Sequence, residues 1–126
     1  MFRLAVLILA CLVVGGCGGE DDDEAPPAGA PATELTVTVW PEGFGGPQRE
    51  RRVECPGAEI CGELARRTFA PVPRNMACTA IYGGPAVARV SGSLRGEPVD
   101  ARFSLEDGCE IARWERNVAL LGPPRQ

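Results

Sequence analysis

The chain has no histidine and no lysine among its 126 residues. The first absence removes the usual general base near neutral pH and the commonest metal ligand. The second removes Schiff-base and amine chemistry. No apolar run approaches the roughly 20 residues that a transmembrane helix needs. The cysteines contain no C-x-x-C pair, the spacing that most zinc sites start from. Most enzyme classes are excluded on these grounds, and no cofactor is expected. The remaining catalytic alternative is a pair of carboxylates such as Asp107 and Glu110, and a folded part of about 90 residues leaves that pair little room for a closed pocket.

What is present at the start of the chain is an export signal. Met1 to Arg3 carry one positive charge, and Leu4 to Val14 is an unbroken apolar run that ends at Gly15, Gly16 and Cys17. A charged start, a short apolar core and small residues at its end describe a secretory signal over residues 1–16. Val14-Gly15-Gly16-Cys17 resembles the bacterial lipobox, which implies acylation of Cys17 and a lipid anchor at the cell membrane. The alternative is cleavage without lipid and simple secretion. Each buried methylene of an acyl chain contributes about 0.8 kcal/mol, so two or more chains tether a protein stably.

Residues 17–33 read as the anchor cysteine followed by a disordered spacer, "GGEDDDEAPPAGAPAT", without apolar periodicity. Sixteen extended residues at about 3.1 Å each reach roughly 50 Å from the membrane. The acidic tract Glu20 to Glu24 accounts for the net charge of −4, because residues 25–126 hold twelve arginines and twelve acids. A near-neutral domain over residues 34–126 argues against nucleic acid as a partner. The arginines at 49, 51, 52, 66 and 67 have Glu50, Glu54, Glu59 and Glu63 nearby, which describes a solvated mixed surface.

Four cysteines fall in the domain: Cys55, Cys61, Cys78 and Cys109. In an exported protein they imply two disulfides. Three pairings are formally open, of which we favour Cys55 with Cys61 and Cys78 with Cys109.

Strand patterns recur along the domain. Leu35, Val37 and Val39 alternate with threonines, and Val99, Ala101, Phe103 and Leu105 alternate with polar residues, giving each segment one face for a core. Ala86, Ala88, Val90 and Leu94 share a parity, and the turn residues from Arg95 to Pro98 then join residues 86–105 into a hairpin. Arg49 to Glu54 fits an edge strand because of its charges. Ile60, Leu64 and Thr68 share a helical face in a segment that Pro71 stops. Asp107 with Glu110 three residues on resembles a capping box for a short helix whose Ile111 and Trp114 face the core. The fold class is α+β.

Together, "LTVTV", a cysteine pair before a helix, "CTAIYGGP", the hairpin around "VSGSLRGEPV", and "GCEIARW" followed by "VALL" are similar to the subtilisin-inhibitor-like family of small secreted serine protease inhibitors. The likeness covers residues 34 to about 121. It implies an open antiparallel sheet of five strands with two short helices, and two disulfides between sequence neighbours. It also implies a reactive loop of Thr79, Ala80, Ile81 and Tyr82 just after Cys78, with Ala80 at P1, Ile81 at P1′ and the scissile bond between them. Thr79 stands where proline is common in the family, and Gly83-Gly84 adds one residue past the contact region. The implied partner is a secreted subtilisin-like or elastase-like protease, since Ala80 suits a small S1 pocket, and homodimerisation through the sheet is common in the family.

Two other readings accompany this one. Thr79 to Tyr82 could complete a strand, with Tyr82 as a half-buried ring and Gly83-Gly84-Pro85 as a turn. The chain could also be a cell-surface lipoprotein that binds a partner through the same fold without inhibiting a protease.

Overall fold

The computed structural model describes residues 32–124. The signal segment, Cys17 and nearly all of the spacer lie outside the described residues. Four strands form one antiparallel sheet: β1 (Thr33–Trp40), β2 (Arg49–Cys55), β3 (Val87–Leu94) and β4 (Glu97–Phe103), in the order β2-β1-β3-β4. Three short helices accompany them: α1 (Cys61–Leu64), α2 (Gly108–Arg116) and α3 (Val118–Leu121). The architecture is therefore α+β and open-sheeted, with two disulfides joining Cys55 to Cys61 and Cys78 to Cys109 at Cα separations of 5.7 and 5.4 Å.

The alternating residues do what their parity requires. Leu35, Val37 and Val39 turn inward from β1, and Ala88, Val90, Ala101 and Phe103 do so from β3 and β4, all buried. Trp114 of α2 and Leu120 and Leu121 of α3 close over this face. Trp114 is the largest of these side chains, and its indole N–H donates to the Gly122 carbonyl at 2.9 Å, so burial leaves no polar atom of the ring unpaired. The charged strand β2 lies at the sheet edge, where arginines and glutamates discourage pairing with another chain. Arg51 of β2 donates to the Ala119 and Leu120 carbonyls, tying that edge to α3.

The β3–β4 turn is two residues long, with Arg95 at φ 51° and Gly96 at φ 82° between the paired Leu94 and Glu97. Positive φ at both central positions matches the twist of the flanking strands. Arg95 is held there by its neighbours: its N–H donates to Thr33 Oγ1, and its guanidinium reaches the Leu64 and Arg67 carbonyls. Thr33, the last residue assigned to the spacer from sequence, is thus a buried member of β1.

Two expectations are corrected. Among the described residues the sheet has four strands, not five. Residues 65–86 contain no strand, and Pro71, Pro73 and Pro85 within them each lack the N–H that a ladder requires. The helix expected over Ile60, Leu64 and Thr68 shrinks to the four residues of α1, because Arg95 caps the Leu64 carbonyl and Phe69 turns into the core while Thr68 stays exposed. Conversely, α3 adds a third helix to the two expected.

Candidate functional site

The segment from Cys78 to Pro85 enters β3 at one end of the sheet. The same end carries the β1–β2 loop and the connection from β4 into α2. Thr79, Ala80, Ile81 and Tyr82 are exposed, Ile81 at 58% and Tyr82 at 69%, and none belongs to a strand. A strand-completing, half-buried Tyr82 is therefore not what the chain forms.

Helix α2 holds one side of this loop. Asp107 sits in extended backbone before the helix, and its carboxylate accepts from the Glu110 N–H at 2.9 Å. That is the expected N-cap; the reciprocal half of the capping box is missing, because Glu110 pairs with Arg113 instead. The capped first turn places Gly108 and Cys109 under the loop. Cys109 is bonded to Cys78, and the Gly108 N–H donates to the Thr79 carbonyl at 2.9 Å. A Cβ on residue 108 would come within 2.0 Å of Thr79 Oγ1, so a larger residue there would displace the Thr79 side chain.

The other side is held by β4's continuation. The Gly83 N–H donates to the Leu105 carbonyl at 2.7 Å, and a Cβ on residue 83 would press on Ile111 of α2 and on Leu105 at 3.0–3.1 Å. Between these two anchor points the Ile81 N–H donates to the Thr79 carbonyl at 2.9 Å, so the backbone makes a three-residue turn with Ala80 at its apex. The backbone through Ala80 is therefore bent, not extended.

Arg113 steadies the helix that carries the anchors. Its buried guanidinium donates to the Arg102 carbonyl of β4 at 2.6 Å and to the Phe69 carbonyl at 3.0 Å, pairs with Glu110 at 3.1 Å, and lies 4.1 Å from the centre of the Phe103 ring. One side chain thereby joins α2, β4 and the segment that leads toward Cys78.

The two carboxylates considered for catalysis are both engaged in this framework, Asp107 as a cap and Glu110 with Arg113. Cys78, Asp107 and Cys109 are the one grouping of metal-ligating residue types among the described residues. Two of the three are the sulfurs of a disulfide, which offers no thiolate to a metal. Beside the loop, Pro71, Val72, Met76, Ala112 and Arg116 line a shallow groove of about 450 Å³ whose wall has no acidic residue.

Structure adds three loop-holding groups that the sequence did not single out: the N–H of Gly108, the carbonyl of Leu105 and the guanidinium of Arg113. A glycine directly between a helix cap and a cysteine was the available signal for the first. The other two depend on tertiary placement. The chain matches no protein-family model, no curated protein and no solved structure.

Proposed function

We propose that the chain is a serine-type endopeptidase inhibitor of the subtilisin-inhibitor-like kind, offering the Ala80–Ile81 bond to a secreted subtilisin-like or elastase-like protease. The observation that carries this reading is the double anchorage of an otherwise exposed loop. Thr79 is fixed by the Cys78–Cys109 bridge and by Gly108, and Gly83 by Leu105, while Ala80, Ile81 and Tyr82 face solvent.

Such anchorage has a direct chemical consequence. Cleavage of the Ala80–Ile81 bond would create a carboxylate end tied through Thr79 to α2 and an amine end tied through Gly83 to Leu105. Both ends would stay on one scaffold, so religation competes with departure of the product. A pre-ordered loop also loses little conformational entropy on binding, which favours tight association. Ala80 fits a small S1 pocket, and Ile81 and Tyr82 supply apolar contact on the leaving-group side.

Export and acylation at Cys17 belong to the same proposal and would hold the inhibitor at the cell membrane. Metabolic labelling with a fatty-acid analogue, compared between the native chain and Cys17→Ser, tests that part. The inhibitory part is tested by titrating subtilisin and elastase with the full chain. Stoichiometric inhibition is expected, and Ala80→Asp should abolish it by forcing a charge into an apolar pocket. A native chain that inhibits neither of these nor trypsin or chymotrypsin removes the proposal.

A further inference from the structure

Four exposed side chains cannot by themselves make a stable protease complex. Interfaces of that kind bury about 800 Å² on each partner, drawn from roughly 20–30 residues. Other groups at the same end of the molecule must therefore take part.

Five large apolar side chains are exposed among the described residues: Phe44, Met76, Ile81, Tyr82 and Val118. Ile81 and Tyr82 belong to the loop already described. Phe44, 60% exposed, stands on the β1–β2 loop. Although 35 residues or more separate Phe44 from the reactive loop in sequence, the two are neighbours in space. Gly43 packs so closely on Pro85 that a Cβ there would lie 3.4 Å from the Pro85 carbonyl oxygen, and Pro85 follows Tyr82 by only three residues. Trp40, the last residue of β1, pairs with Val87, the first of β3, so the ladder itself brings the two loops together.

Phe44 is also held in place. Its ring packs edge-to-face on Trp40 with centroids 4.9 Å apart, and the Arg102 guanidinium lies 5.3 Å from its centre. The Gly43 N–H returns to the Trp40 carbonyl at 3.2 Å, closing a turn just before it. A fixed, exposed aromatic ring with an arginine over it has the composition of an interface anchor.

Resting on the inhibitor reading, we infer that Phe44 is a second contact on the same target protease, engaging the enzyme surface beyond Tyr82 on the leaving-group side. The occupant of this patch is the rim of the protease cleft, because the Gly43–Pro85 approach and the Trp40–Val87 pair set Phe44 beside the residues that follow Ile81 and Tyr82.

The test is inhibition of subtilisin by the full chain, by Phe44→Ala and by Phe44→Tyr, with oxidative footprinting of Phe44 in the free chain and in the complex. Phe44→Ala should raise the inhibition constant at least about tenfold, chiefly through faster dissociation. Phe44→Tyr should stay within about threefold of the native chain, and Phe44 should be protected from oxidation in the protease complex alone. Inhibition by Phe44→Ala within twofold of native, or a Phe44 equally reactive in both states, overturns this inference and leaves the reactive loop standing. Protection of Phe44 in the free chain, rising with its concentration, assigns the patch to a second copy and overturns it too. If the native chain inhibits no protease, the inhibitor reading fails first and the inference with it. Should Phe44→Ala not fold, Phe44→Tyr and the footprint decide.

Discussion

The Gly108 amide and the Thr79 carbonyl meet at 2.9 Å, and the Thr79 hydroxyl occupies the space where any larger residue at 108 would put its Cβ. The helix and the exposed loop are thus fitted to each other at a single atom. Gly108→Ala should weaken inhibition about tenfold and lower stability by roughly 1–3 kcal/mol, the usual range for overpacking. Adding Thr79→Ala to it removes the obstructing oxygen and should restore stability to native or slightly above, since alanine is favoured over glycine in a helix by up to about 1 kcal/mol. Urea unfolding of the two variants checks both signs.

The two disulfides should differ in weight. They join residues 31 and 6 apart in sequence. Closing loops of those sizes contributes roughly 3.7 and 2.4 kcal/mol in the chain-entropy picture. Replacing Cys78 and Cys109 together by alanine should therefore lower the melting temperature more than replacing Cys55 and Cys61. It should also abolish inhibition, whereas the Cys55/Cys61 pair variant keeps it. Differential scanning calorimetry alongside an inhibition assay separates the two effects.

Arg113→Met should destabilise by about 3–5 kcal/mol, because it strands Glu110 and two carbonyls that the guanidinium now satisfies. Arg113→Lys should not rescue it. An ammonium cannot span the Arg102 and Phe69 carbonyls while lying flat on Phe103. Denaturant midpoints at unchanged slope are the measure.

Much of this architecture was legible in the sequence, and what was not has a common cause. Leu35, Val37 and Val39 announced β1, the arginines and glutamates of β2 announced an edge, and Asp107 announced the start of α2, because each signal is local. The Arg95-Gly96 turn was readable for the same reason. The sequence could not show that the segment after Leu64 would leave the helix, since that depends on Arg95 reaching back from 31 residues away. Nor could it show the missing fifth strand, although three prolines between residues 71 and 85 were a clue. At the site, an exposed Thr79 to Tyr82 was what the family resemblance implied, while the residues alone also allowed a strand with a half-buried Tyr82. The bend at Ala80 and the proximity of Phe44 did not, because both arise from contacts between distant parts of the chain.

Stability should be nearly flat between about pH 6 and 8, where no histidine titrates. Asp100 adds a small acid-sensitive contribution: its hydrogen bonds with Arg89 at 2.7–2.8 Å hold its carboxyl below the ordinary carboxylate range. A depressed folded-state pKa means stability that is present above the unfolded value and lost as pH falls through the folded one. The pair is fully solvated, so the effect should be small and should fade in high salt. Melting curves of the native chain and Asp100→Asn should converge at low pH, with native the more stable at neutral pH and low salt.

The most direct test is the fate of the Ala80–Ile81 bond in a complex of the full chain with subtilisin, followed by mass spectrometry. The account predicts one nick, after Ala80, with the fragments still joined through Cys78 and Cys109, and re-formation of the intact chain when isolated nicked protein meets fresh enzyme. Progressive digestion at other bonds, or an enzyme that remains fully active while the loop is untouched, would contradict it.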